Sequence, residues 1–250
     1  MGINDFSTQD LERYARHICL DGLGKSGQLK ICNAKVLVIG VGGLGSVVTM
    51  YLAAAGIGTL GIADADIVDL SNLQRQIIHH TDDIGVSKVV SASYKLKSIN
   101  PNVQINSYDF FLNVSNIRKI IGKYDFVVDA TDNFASKFLI NDSCVLENKP
   151  FSHGGVLNFN GQTMTVIPGK TACYRCVFGE APPEETEPTL MQKGILGATV
   201  GVLGSIQATE VLKYITGLGQ CLTDRLQICD MLNMKFKTLK VKINNQCNCS

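Results

Sequence analysis

The chain holds 250 residues, 45% of them apolar and 18% charged, with a formal net charge of +1. That length and apolar content suit one large α/β domain and exclude a disordered chain. The balanced charge leaves no overall field to attract nucleic acid or an acidic membrane, so neither is expected as a partner.

In chain order, Leu11 to Lys30 carries apolar residues at helical spacing, which predicts one or two short N-terminal helices. Lys35 to Ile39 (KVLVI) is a β-branched run of the kind that forms a strand buried on both faces. It runs into Gly40-Val41-Gly42-Gly43-Leu44-Gly45, and a helical pattern follows to Ala55. Thr59 to Ala63 is the next strand and ends on Asp64. The alternation continues with a helix at Lys88–Ile99, a strand at Val103–Tyr108 and a helix at Ser115–Ile121. A strand at Phe126–Ala130 and a helix at Phe134–Glu147 complete it. Beyond Pro150 the texture changes. Phe151–Val156 and Thr163–Ile167 read as strands joined by a turn at Asn158-Phe159-Asn160-Gly161. Glu180–Lys193 reads as a mobile loop, Ile195–Ile215 as a long apolar helix, and Arg225–Ile243 as two strands.

The expected fold is therefore α/β: a Rossmann-like, doubly wound, mostly parallel sheet with a C-terminal antiparallel extension and short N-terminal helices. It is expected as one unit over 1–250, with N-terminal helices at 1–34, a nucleotide-binding core at 35–150 and a second part at 151–250. The opening MGINDFSTQD has no leader pattern, and Gly194–Ile206, the most apolar stretch, is too short to span a bilayer. A cytoplasmic protein is expected.

Gly40, Gly42, Gly43 and Gly45 fall between a strand and a helix, where glycines permit a tight turn and close approach of backbone to phosphate. Asp64 stands about twenty residues on, where an acid bonds ribose hydroxyls. Asn72 and Arg75 lie just beyond it, and Lys88 opens the next helix. Two cations there would neutralise a triphosphate. Asp132 follows the strand at 126–130, and an acid at the carboxyl end of a parallel strand faces the ligand crevice, where its oxygen suits Mg²⁺. The plainer alternatives are a solvated charge for Lys88 and a helix N-cap for Asp132.

Nine cysteines are present, and four form the close pairs Cys173/Cys176 and Cys247/Cys249. C-x₂-C lets two thiolates reach one tetrahedral Zn²⁺, and the tail pair would complete a closed structural site. The tail pair is C-x-C, a tighter spacing, and a redox pair or idle thiols are the alternatives.

The run GVGGLG, the segment SNLQRQ, the DATDN stretch and the opening Arg13-Tyr14-x-Arg16-His17-Ile18 resemble the ThiF/MoeB/HesA family, prokaryotic relatives of ubiquitin-activating enzymes. The resemblance extends from about Leu11 to Cys249. It implies a homodimer that uses ATP and Mg²⁺ to adenylate the terminal Gly-Gly carboxylate of a ubiquitin-like sulfur-carrier protein, releasing pyrophosphate. It also implies roles. Asp64 would bind ribose, Asn72, Arg75 and Lys88 phosphate, and Asp132 the metal, while Arg16 would reach the partner's ATP. Members like this one serve thiamine or molybdopterin synthesis.

Several relatives carry a cysteine in the loop before the long helix. Here that loop has Leu190 near the expected place, and no cysteine lies between Cys176 and Cys221. The chain is therefore expected to stop at the adenylate and to leave sulfur delivery to a separate donor. Three rival readings remain: an NAD-dependent oxidoreductase, a non-catalytic carrier-binding relative, and an activator of a tRNA base or peptide. The first explains the glycine turn and Asp64 but gives Arg75, Lys88 and Asp132 nothing to do.

Overall fold

The computed structural model describes residue 2 and the ranges 6–180, 194–244 and 246–247. Its centre is one eight-stranded sheet in the order β3-β2-β1-β4-β5-β6-β7-β8. The strands are β1 (Lys35–Ile39), β2 (Thr59–Ala63), β3 (Gln104–Tyr108), β4 (Phe126–Asp129), β5 (Phe151–Leu157), β6 (Asn160–Val166), β7 (Arg225–Asp230) and β8 (Lys235–Lys240). The pairs from β3 through β5 are parallel, and those from β5 through β8 antiparallel. This is the architecture expected from the sequence.

The apolar run of β1 makes sense in this setting. Successive side chains of a strand point to opposite faces. Val36 and Val38 accordingly enter one core cluster, and Leu37 and Ile39 enter the other. The first cluster lies beneath α3 (Gly24–Asn33), α4 (Gly43–Ala54), α5 (Lys88–Ile99) and the long α9 (Gly197–Thr216). The second lies beneath α6 (Ile117–Ile121), α7 (Phe134–Leu146) and α8 (Tyr174–Phe178). Each face of the parallel sheet is thus covered, and both need apolar side chains.

Three N-terminal helices form where one or two were expected, α1 (Thr8–Arg13) and α2 (Ala15–Ile18) preceding α3. A capping box at Ser7 and Asp10 starts α1 ahead of the apolar pattern. Gly22, at φ 81°, ends the second stretch. β6 also begins three residues earlier than expected. Asn158 turns at φ 55°, and Leu157 pairs with Asn160, so Asn158 and Phe159 alone make the loop.

β1 lies between β2 and β4. The chain moves outward through β2 and β3 on one side and through β4 and β5 on the other. A crevice opens where the direction reverses, at the carboxyl ends of β1 and β4, and ligands of open α/β sheets bind there.

Candidate nucleotide crevice and cysteine centre

That crevice is a cavity of about 750 Å³. Gly40, Gly42, Gly43, Asp64, Arg75, Lys88 and Asp132 all line it. The strand register brings them together, since Ile39 pairs with Asp129 and places Gly40 beside the start of the Ala130–Asn133 loop. Gly40 has φ 92°, and a Cβ there would stand 2.7 Å from the Ala130 carbonyl oxygen. A Cβ at Gly45 would stand 1.9 Å from the Gly40 carbonyl oxygen, so no larger residue closes this turn. The first turn of α4 opens at Gly43, with no side-chain cap on its N–H groups. They are the donors that a phosphate would take.

Asp64 braces the turn from the next strand. Its Oδ2 accepts from the Val41 N–H at 2.8 Å and its Oδ1 from the Asp66 N–H at 2.9 Å. Burial pushes its pKa up, while the Lys88 charge and these two N–H groups pull it back. Two carboxylate oxygens offer about four lone-pair sites, so acceptor capacity remains for hydroxyl groups. Lys88 is 6% exposed and pairs with Asp66 Oδ2 at 2.8 Å. It is a buried ammonium at a helix start, not a solvated charge.

Arg75 donates to the Ser71 carbonyl at 2.9 Å, which holds its guanidinium against a short 3₁₀ turn at Leu70–Asn72. Asn72 does not itself line the cavity. Its Oδ1 receives the Asp69 N–H at 3.4 Å and completes a capping box on that turn. Arg16 is exposed on α2 and also lies outside the crevice lining.

Asp132 is exposed at the cavity, and no hydrogen bond or ion pair ties it to a described residue. The cap of α7 is its neighbour Asn133, whose Oδ1 accepts from the Ser136 N–H at 2.8 Å. The Asp132 carboxylate is therefore open to a hard cation, which fits Mg²⁺ by donor type.

Three buried groups behind this loop escaped the sequence reading. Asp129 is 1% exposed and meets Lys137 Nζ at 3.2 Å and His153 Nδ1 at 2.9 Å. Lys137 also donates to the Thr131 and Gly154 carbonyls, each at 2.7 Å, and so pins the Asp132 loop to β5. Burial raises the Asp129 pKa, but Lys137 and then the His153 hydrogen bond outweigh it and set the value at about 2. Burial pushes the His153 imidazole down. The only hint in the sequence was an acid closing the apolar run FVVD; nothing in the spacing pointed to a lysine in the next helix or a histidine in the next strand.

His79 is a further bracket. It is 4% exposed and contacts the Val41 carbonyl at 3.0 Å and Ser91 Oγ at 2.8 Å. The imidazole thereby joins the glycine turn, the Arg75 segment and α5, the three elements that carry the phosphate-binding candidates. Burial, foremost, lowers its pKa.

Around α8, which packs against α7, the Sγ atoms of Cys173, Cys176 and Cys247 lie within 4.8 Å of one another. Cys173 stands 3.7 Å from Cys176 and 3.5 Å from Cys247. A disulfide needs about 2.05 Å. Tetrahedral thiolates at about 2.3 Å from Zn²⁺ stand about 3.8 Å apart, so the spacing fits a zinc centre. Cys249, the fourth expected ligand, lies outside the described residues, as does the loop at 181–193 that contains Leu190.

A glycine turn at a helix start, a ribose-type acid and two cations at the switch point of a mostly parallel sheet define a nucleotide-binding Rossmann-type α/β protein. The chain belongs to the ThiF family, which it matches over residues 14–250. It is 41% identical over 237 residues to the SAMP-activating enzyme E1 of Haloferax volcanii, covering 95% of this chain and 87% of that protein. It is 43% identical over 234 residues to the adenylyltransferase and sulfurtransferase MOCS3 of Dictyostelium discoideum, covering 93% of this chain and 55% of that protein. The chain thus spans most of the archaeal protein but about half of MOCS3. Among solved structures, Escherichia coli MccB with ATP matches with a TM-score of 0.83 at 25% identity, covering 100% of this chain and 76% of that one.

Proposed function

We propose that this adenylyltransferase uses ATP and Mg²⁺ to activate the C-terminal Gly carboxylate of a ubiquitin-like sulfur-carrier protein. The observation that carries the reading is the single crevice that holds the glycine turn, Asp64, Arg75, Lys88 and Asp132 together. An NAD-dependent oxidoreductase would leave the last three idle, and membership of the ThiF family speaks against it.

Asp64 holds the ribose hydroxyls. The α4 N–H groups, Arg75 and Lys88 cradle the phosphates, with Asn72 fixing the turn that carries Arg75. Asp132 would hold Mg²⁺, which would supply charge neutralisation for the phosphate oxygens. Arg16, exposed on α2, reaches the nucleotide of a second copy in a homodimer. The carrier carboxylate attacks the α-phosphorus, its C–O–P bond forms as the bond to pyrophosphate breaks, and the electron pair leaves with pyrophosphate. Positioning and charge neutralisation suffice for that step, with no protein nucleophile. The absence of a cysteine between Cys176 and Cys221 supports a reaction that stops at the adenylate, with a separate sulfur donor. The part at 151–250 takes the carrier and binds structural zinc through Cys173, Cys176, Cys247 and Cys249. We place the enzyme in the cytoplasm, in thiamine or molybdopterin synthesis; no helix among the described residues is long and apolar enough to cross a membrane.

ATP–pyrophosphate exchange with Mg²⁺ and carriers that end in Gly-Gly tests the proposal. Carrier-dependent exchange that disappears in Asp132→Ala is the expected result. ATP binding without exchange for any carrier would overturn it.

A further inference from the structure

His153 sits on β5 with its Nδ1 2.9 Å from Asp129 Oδ2. Asp129 is held as a carboxylate by Lys137, so it can only accept, and the proton on Nδ1 must be donated to it. In the neutral ring this leaves Nε2 as a bare acceptor. The residue is 0% exposed, and no described residue donates to Nε2. A buried acceptor with no donor is unfavourable, so such an atom is normally met by water or by a ligand.

The geometry shows where that donor would stand. His153 and Gly155 lie two apart on one strand, so they share a face, and both line the crevice. A Cβ at Gly155 would stand 3.7 Å from Nε2. Position 155 therefore carries no side chain to cover that atom, which a donor would reach by displacing the wall that now closes over it. Strand order excludes the adenosine as the donor. Asp64 closes β2, and His153 is three strands away through β1 and β4, about 14 Å at ~4.8 Å per strand. With ribose at Asp64 and phosphates at the glycine turn and Asp132, the β5 side is left to the acyl substrate. Its wall is Gly155, Val156, Leu157 and Gly161, small or apolar, with the uncharged polar Asn160 and Gln162 beside them, which leaves room for a bare main chain.

We propose that His153 Nε2 accepts the last peptide N–H of the acyl substrate's tail, which makes His153 a specificity-determining residue for an extended, amide-linked C-terminus. This rests on the adenylation reading above. The buried Lys137–Asp129 pair fixes the tautomer, and the tautomer fixes the selection of an N–H.

The test compares a ubiquitin-like carrier ending in Gly-Gly with the same carrier ending in Gly-glycolate, whose ester oxygen replaces that N–H. The ester is expected to lower kcat/KM for exchange about tenfold in the wild type, the scale of one hydrogen bond. In His153→Phe, which keeps an aromatic ring against Tyr174 (centroids 4.5 Å apart in the wild type), amide and ester are expected to differ less than about twofold, with KM for ATP unchanged. His153→Leu supplies the same comparison should the Phe variant fold poorly. An equal ester loss in wild type and variant, or no loss in the wild type, would overturn the inference while leaving adenylation standing. No exchange with the amide carrier would overturn the adenylation reading and this inference with it.

Discussion

The two halves of the sheet are built on opposite principles. In the parallel half, β4 is buried at every position and β1 at four of five, because helices cover both faces. In the antiparallel half, β8 is exposed at five of its six positions and ends the sheet as an edge. The doubly covered strands β1 and β4 confine their polar groups to the strand ends, Lys35 and Asp129, whereas β3, the edge of the parallel half, carries Gln104, Asn106 and Ser107 along its length. The antiparallel half tolerates polar residues along its length, with three lysines on the edge strand, a feature that discourages pairing with other chains. Its tail is gathered in by Cys247 against Cys173 and Cys176. The nucleotide crevice therefore sits where helices cover both faces of the sheet.

The sharpest break of this comparison is Lys137→Met. It strands the Asp129 carboxylate in a fully covered site, and removing one partner of a buried pair costs about 3–5 kcal/mol. Urea unfolding should show a loss of that size; a loss under about 1 kcal/mol would mean that water reaches the pair. The pair also sets a pH dependence. The Asp129 pKa falls from 3.8 to about 2 on folding, so its contribution is present above about pH 4 and is lost as pH drops through about 2. The double variant Asp129→Asn/Lys137→Met should flatten that part of the acid unfolding curve.

These groups also show where sequence reading succeeds and fails. β1, β2 and α5 have the bounds read from the sequence, because a doubly covered strand and a helix opened by Lys88 leave clear periodicity. The glycine turn, Asp64, Lys88 and Asp132 were legible because each follows a strand end or opens a helix at a set spacing, and Arg75 as a cation shortly beyond Asp64. Asp129, Lys137 and His153 come from three elements that only the fold brings together, so no local pattern marks them. Lys137 looks like any helix-surface lysine until α7 packs its first turn on β4 and β5. Asn72 was legible as polar and near the site, but its place in a capping box depends on a 3₁₀ turn that the sequence does not distinguish from loop.

Lys88→Ala sharpens the comparison within the crevice. Loss of one buried cation aimed at developing charge lowers rate about 10²–10³-fold. Exchange should fall by that factor with little change in unfolding midpoint, since its partner Asp66 is 59% exposed and remains solvated. If stability fell and exchange survived, the lysine would be a structural strut.

The cysteine centre should behave in the opposite way. Cys176→Ser, or a chelator followed by restored Mg²⁺, should release zinc. Stability should drop by about 2–3 kcal/mol, the linkage expected when a ligand is present near a hundred times its Kd. Metal analysis and Tm check this. Exchange per folded molecule should hold, because these sulfurs do not line the crevice. Lost exchange would show that the antiparallel half sets the crevice geometry.

The smallest effect is expected at the outer edge. Thr238 and Gln227 face each other across β7 and β8, and Thr238 Oγ1 donates to Gln227 Oε1 at 2.7 Å on the exposed side. Cross-strand pairs of this kind contribute about 0.2–1 kcal/mol, and exposure places this one at the low end. Thr238→Ala should therefore change stability by less than about 0.5 kcal/mol and leave exchange intact. Weaker carrier binding with unchanged stability would reveal the docking face. A loss of 2 kcal/mol or more, roughly the size of a core deletion, would mean that the edge is as tightly specified as the parallel half, and the contrast between the two would fail.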